Sequence, residues 1–155
     1  MENQYFANQE IEKKNDVTII HNNDFVVKNF GKQWKKYRDI QIDSINNFNI
    51  SKDFLENLLF CKIKDLKNLS VLEIGCGAGR FTEYLSKETN LCVSVDLSDS
   101  IFFNVSKSKL NVKLVKGNFL ELKPKKRFDI VFCRGVLQHT QNPFLSILKL
   151  YDFVE

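Results

Sequence analysis

Half of the chain's six glycines, Gly75, Gly77 and Gly79, fall at alternate positions in the stretch VLEIGCGAGRFTEYL (71–85). Glycines set between an apolar run and an amphipathic one supply two things. They give access to positive φ in a tight turn, and they leave room for a ligand to lie against the backbone near the start of a helix. Glu73 stands just ahead of the turn, and Asp96 closes the next apolar run, roughly 20 positions beyond Gly75, the distance expected of a carboxylate that grips ribose hydroxyls. Together these residues point to a nucleoside-containing ligand. A turn that merely needs glycine accounts for one of the three but poorly for all of them plus Asp96.

The residue types around the turn narrow the ligand. Dinucleotide turns read GxGxxG, with the last small residue allowing close helix–strand packing. Here the turn is Gly75-Cys76-Gly77-Ala78-Gly79-Arg80, and bulky Arg80 takes that last place. A carboxylate at Glu73 repels a pyrophosphate but tolerates a cationic sulfonium or ammonium group. The charges therefore point away from NAD, and an NAD-dependent oxidoreductase is the disfavoured alternative.

These residues need a scaffold of alternating strands and helices, and the pattern from residue 70 onward supplies one. VLEI, LCVSV, VKLVK and FDIVFC read as four strands. RFTEYLSKE and SDSIFFNVSKSK read as helices, the second capped by Ser98 or Asp99. The last segment, NPFLSILKLYDFVE, reads as a helix with Asn142 at the cap and Pro143 at its first position. This alternation predicts parallel β-α-β units with helices on both sheet faces. Upstream, SKDFLENLLFCKI has helical spacing behind a Ser51 cap, and FGKQWKKYRDIQIDSINNF reads as one or two short helices. VTII and FVV, separated by HNND, suggest a hairpin, while residues 1–16 show no periodicity and are expected to fray.

Composition sets the outer bounds. A chain of 155 residues with 43% hydrophobic and 27% charged residues is an ordinary globular domain. No apolar run approaches the ~20 residues of a membrane span, and the polar amino terminus does not read as a secretory signal, so no membrane association and a cytoplasmic location are expected. The net charge of +4 is mild. The lysines of KIKDLK (62–67) and KPKKR (123–127) border strands as a solvated rim, so no nucleic-acid partner is expected. Cys61, Cys76, Cys92 and Cys133 form no CxxC pair, and His21 and His139 are the only histidines. Buried, reduced thiols and no metal site are expected.

At this point the chain resembles the class I S-adenosylmethionine-dependent methyltransferases. VLEIGCGAGRF, VSVDLS, VKGNFLEL and FDIVFCRGVLQHTQNP match their first four motifs in order, from about residue 70 to the end. FGKQW resembles the Phe-Gly-x-x-Trp lead-in of a bacterial small-molecule subgroup. The resemblance implies an α/β fold with a Rossmann-like, doubly wound, mainly parallel sheet and S-adenosyl-L-methionine as cofactor. It implies that Glu73 and the turn with Gly75, Cys76, Gly77 and Gly79 hold the methionine part, directly or through water. Asp96 would bind the ribose hydroxyls, Leu97 would pack on the adenine, and Phe119 would line the base. Asn118 stands where relatives often carry Asp beside the adenine amino group. Cys133 and Arg134 would border the methionine end through backbone atoms.

Methyl transfer asks chiefly for position, because a sulfonium is already a good leaving group. His139, in LQHT, is the candidate base if the acceptor must lose a proton, and a structural hydrogen-bonding residue otherwise. Trp34, Tyr37 and Arg38 are candidates to cap the acceptor pocket. Equally, Trp34 and Tyr37 can anchor the N-terminal segment by apolar burial. The expected division is an extension or cap over 1–50 and a partial cofactor-binding domain over 51–155. The family fold has seven strands in the order 3-2-1-4-5-7-6, of which four are legible, with the chain expected to end inside the helix after the fourth. Missing C-terminal strands leave the fourth an open edge, which invites self-association or a partner chain. The sequence thus leads to a methyltransferase of a small-molecule acceptor, represented by its cofactor-binding half. A non-catalytic or partner-completed binding module is the alternative from another class.

Overall fold

The computed structural model describes residues 4–7, 11–20 and 39–155. Its strands are β1 (Ile11–Lys14), β2 (Val17–Ile20), β3 (Ser70–Ile74), β4 (Leu91–Asp96), β5 (Val112–Lys116) and β6 (Ile130–Cys133). They form one sheet in the order β1-β2-β5-β4-β3-β6. β1 pairs antiparallel with β2, and the remaining neighbours are parallel. The four strands expected from residue 70 onward are thus present as β3, β4, β5 and β6.

Strands buried on both faces are apolar almost throughout, with successive side chains turned to opposite sides. Val71, Cys92, Val112 and Leu114 face one side, where Leu55 of helix α1 (Ile50–Leu59) and Tyr84 and Leu85 of helix α2 (Thr82–Glu88) cover them. Leu72, Ile74, Val93, Val95 and Val115 face the other side and meet Phe6, Leu122, Phe128 and Phe153. Helix α3 (Pro143–Leu150) starts as expected, with Asn142 Oδ1 accepting from the Leu145 amide and Pro143 in the first turn. It buries only Ser146 fully, leaving Phe144, Leu145, Ile147 and Leu148 exposed.

Five expectations change. The hairpin joins Ile11–Lys14 to Val17–Ile20 through Asn15 and Asp16, not VTII to FVV; FVV lies outside the described residues. Asn15 and Asp16 have φ of 49° and 63°, the conformation of the tight turns that match strand twist. Residues 1–16 are therefore not uniformly frayed: Tyr5 and Phe6 are buried, and Phe6 bridges to Pro124. The helix expected over 98–109 shrinks to a 3-10 segment at Asp99–Phe103. Ser98 and Asn104 side chains accept from the amides of Ser100 and Ser106, a local competition that breaks a helical ladder. Ser51 lies inside α1 and does not cap it. Finally, the chain does not end inside the helix after the fourth strand. α3 stops at Leu150, and Val154 forms a parallel bridge with Phe128 just ahead of β6.

Candidate functional site

Because β3, β4, β5 and β6 are parallel, their carboxyl ends open on one side of the sheet, where ligands of such folds bind. A cavity of about 730 Å³ lies there, within the range of small-molecule sites. Each strand end contributes a wall. From β3 come Gly75, Cys76 and Gly77; from β4, Asp96 and Leu97; from β5, Asn118 and Phe119; from β6, Arg134 and, farther on, His139. Nine residues singled out in the sequence are thus brought together.

Asp96 stitches the glycine turn to β4. Its Oδ2 accepts from the Gly77 amide at 2.7 Å, and its Oδ1 accepts from the amide and hydroxyl of Ser98 at 2.7 and 2.6 Å. Burial raises its pKa above the ordinary range against these donors and the Lys116 charge. Three donors fill three of a carboxylate's roughly four acceptor positions, so one remains for a ligand hydroxyl.

The three glycines divide by cause. A Cβ on Gly75 would sit 2.1 Å from Val136 Cγ2, and one on Gly79 would sit 2.5 Å from Asn104 Oδ1. A Cβ on Gly77 would meet nothing nearer than Ser100 Oγ at 3.8 Å. Packing within the protein therefore demands the outer two, and the middle one is the glycine whose open side a ligand can use. Gly79 does not line the cavity.

Glu73 and Cys133 do not line it either. Glu73 pairs in register with Ser94 across β3 and β4, on the face covered by α2. Its Oε2 accepts from Thr82 Oγ1 at 2.6 Å and Ser94 Oγ at 2.8 Å, and Asn104 Nδ2 donates to Thr82 Oγ1 at 3.1 Å. The carboxyl thus heads a buried polar chain beneath the turn. Burial pushes its pKa from 4.5 up to about 7, with the Thr82 and Ser94 hydrogen bonds opposing. The folded protein then holds this proton to higher pH than the unfolded chain does. Its stability falls as pH rises from 4.5 to about 7, by about 3 kcal/mol at 1.36 kcal/mol per unit. Denaturant unfolding of wild type and Glu73→Gln at about pH 5 and about pH 8 should show that loss as a changing difference between them. A constant difference would contradict it. Cys133 packs against the opposite sheet face, where burial raises its thiol to about 11.

Asn118 Nδ2 donates to Glu121 Oε1 at 3.1 Å, and its Oδ1 accepts from the Leu120 amide at 3.1 Å. Trp34, Tyr37 and Arg38 lie outside the described residues. Gln41 and Ile42, which no motif marks, do reach the cavity. Their anchor is the adjacent Asp43, whose buried carboxylate accepts from the Ser51 amide and hydroxyl, the Lys52 amide and Tyr84 Oη.

A model of the methyltransferase domain family matches residues 71–150, more than half of the chain. Among curated relatives, a ubiquinone biosynthesis O-methyltransferase of Coxiella burnetii is 33% identical over 84 residues, covering 50% of this chain and 36% of the relative. One of the same name from Pelagibacter ubique is 31% identical over 98 residues, covering 61% and 40%. The chain therefore spans well under half the length of these relatives. Among solved structures, phosphoethanolamine N-methyltransferase 1 of Haemonchus contortus, in complex with phosphoethanolamine and S-adenosylhomocysteine, superposes with a TM-score of 0.61 at 23% identity. That match covers 82% of this chain and 29% of the other. YcgJ of Bacillus subtilis superposes at 0.57 and 22%, covering 70% and 47%. This chain belongs to the methyltransferase domain family, and its mainly parallel sheet has the Rossmann-like fold of the class I S-adenosylmethionine-dependent methyltransferases.

Proposed function

We propose that the chain binds S-adenosylmethionine in the 730 Å³ cavity and serves methyl transfer to a small-molecule acceptor. The observation that carries this reading is Asp96, tied to the Gly77 amide and keeping one acceptor position at the mouth of the glycine turn. In this assignment Asp96 takes a ribose hydroxyl. A second hydroxyl reaches the carboxylate only if Ser98 Oγ, which also contacts Ser100 Oγ, gives way. Leu97 and Phe119 supply apolar walls for the base, and Asn118 stands beside its amino group. The methionine part lies along the backbone of Gly75–Gly77 and Arg134. Glu73, shielded by Thr82 and Ser94, shapes the turn from beneath and acts at a distance.

When bound, the donor supplies an electrophilic methyl group whose leaving group is a neutral thioether. The chain's own task is to hold an acceptor atom in line with it and keep water out. His139, exposed at the cavity rim, takes the proton of an acceptor hydroxyl. The O-methyltransferase names of the sequence relatives support an oxygen acceptor. Thermal unfolding tests the binding reading. S-adenosylhomocysteine at about 100 times its Kd should stabilise the chain by about 2.7 kcal/mol, a rise of several degrees in Tm. No shift would count against the proposal.

A further inference from the structure

Two guanidinium groups share the β6 side of the cavity, with no salt bridge to a carboxylate among the described residues. Arg80 leaves the glycine turn with Nε donating to Ser51 Oγ at 2.9 Å, and its guanidinium carbon lies 5.0 Å from the Phe81 ring centre. Arg134, the first residue after β6, has its guanidinium carbon 4.3 Å from the Phe54 ring centre and 5.8 Å from that of Phe81. The rings form one cluster, with Phe54 to Phe81 at 6.0 Å and Phe81 to Phe132 at 5.3 Å. Both cations thus sit on the same aromatic base, and both line the cavity.

Among the described residues, neither Arg80 nor Arg134 has a carboxylate within salt-bridge distance. Asp43 is already filled by Ser51, Lys52 and Tyr84. Of the acidic residues of the cavity, Asp96 ends β4 and Glu121 lies in the segment that follows β5. β3 stands between β4 and β6, a separation of roughly 10 Å at two strand spacings. The cavity is therefore divided electrically, with carboxylates on the β4–β5 side and cations on the β6 side. Burial first, and then the Arg134 charge, lowers the pKa of Arg80, with the Asp43 charge opposing. An oxyanion between the two guanidiniums relieves that repulsion, and the planar fork of donors suits carboxylate and phosphate oxygens.

Resting on the methyl-donor reading of the cavity, we propose that the methyl acceptor carries an oxyanion, a carboxylate or a phosphate, held by Arg134 together with Arg80. The aromatic cluster seats the two guanidinium groups, so the acceptor's charged group sets its orientation. Its reacting atom then projects toward the glycine turn.

Calorimetric titration of the full chain, saturated with S-adenosylhomocysteine, tests this with two probe pairs. One pair is 3,4-dihydroxybenzoate against catechol; the other is phosphoethanolamine against ethanolamine. The anionic member of one pair is expected to bind more tightly than its parent by about tenfold or more, and the responding pair tells carboxylate from phosphate. Arg134→Gln should abolish the preference, and Arg134→Lys should keep part of it. No preference in either pair, whether from equal binding or from none, would overturn the proposal. So would a preference that survives in Arg134→Gln. A loss of S-adenosylhomocysteine affinity in Arg134→Gln without loss of 5′-methylthioadenosine affinity would also overturn it, because the guanidinium would then serve the donor's own carboxylate. Failure of the methyl-donor reading is distinct, since the wild-type chain would then not bind S-adenosylhomocysteine at all.

Discussion

Gly79→Ala is expected to cost about 4 kcal/mol of folding stability, against about 1 kcal/mol for Gly77→Ala. Both residues have positive φ, +100° at Gly79 and +51° at Gly77, so each alanine meets backbone strain of about 1–2 kcal/mol. The difference lies in what the new Cβ meets. At position 79 it would lie 2.5 Å from Asn104 Oδ1 and 2.8 Å from Asn104 Cγ. Asn104 is 1% exposed and cannot swing aside freely. Its Nδ2 donates to Thr82 Oγ1 and its Oδ1 accepts from the Ser106 amide. Moving it leaves buried polar groups unpaired, at about 1–3 kcal/mol each. At position 77 the nearest atom is 3.8 Å away, so strain is the whole cost. Denaturant unfolding of the two variants measures the gap. Equal losses would mean that φ alone selects glycine at both places.

Asp96→Ala should weaken S-adenosylhomocysteine binding by about 30-fold, equivalent to about 2 kcal/mol for hydrogen bonds to a charged group. The carboxylate acts twice, by keeping an acceptor for the ligand and by fixing the Gly77 amide at 2.7 Å. Alanine removes both functions. Asp96→Asn keeps one side-chain oxygen but no charge, and its loss should be intermediate. Calorimetry on the three proteins gives the order. Wild-type affinity in Asp96→Ala would remove the ribose assignment and leave Asp96 a purely structural tie.

Legibility in the sequence followed how local the determining physics is. The strand–turn–helix unit around Gly75–Gly79 was readable because apolar alternation and glycine spacing are both short-range signals. Asp96 was readable by its place at the end of the next strand. The reason for each glycine was not, since the atoms that forbid a side chain belong to Val136 and Asn104, far along the chain. The family resemblance implies that Glu73, with the turn, holds the methionine part, directly or through water. Strand parity instead turns it toward Ser94 and Thr82, beneath the turn and away from the cavity wall. β1 escaped notice because Glu12, Lys13 and Lys14 read as a polar tail. Charged side chains are also how an outermost strand discourages further pairing, and only the antiparallel register with β2 reveals it. Gln41 and Ile42 had no signal, because the Asp43 anchor that brings them to the cavity closes on Ser51 and on Tyr84, 41 residues away.

The most direct measurement is a calorimetric titration of the wild-type chain with S-adenosylhomocysteine and, in parallel, with NAD. The Gly77 amide and Asp96 together leave a nucleoside place at the turn, while Arg80 takes the place of the last small residue of a dinucleotide turn. Saturable one-to-one binding of S-adenosylhomocysteine, with no heat from NAD over the same concentrations, is the result expected. Binding of NAD in preference to S-adenosylhomocysteine would contradict the account, and so would the absence of binding by either.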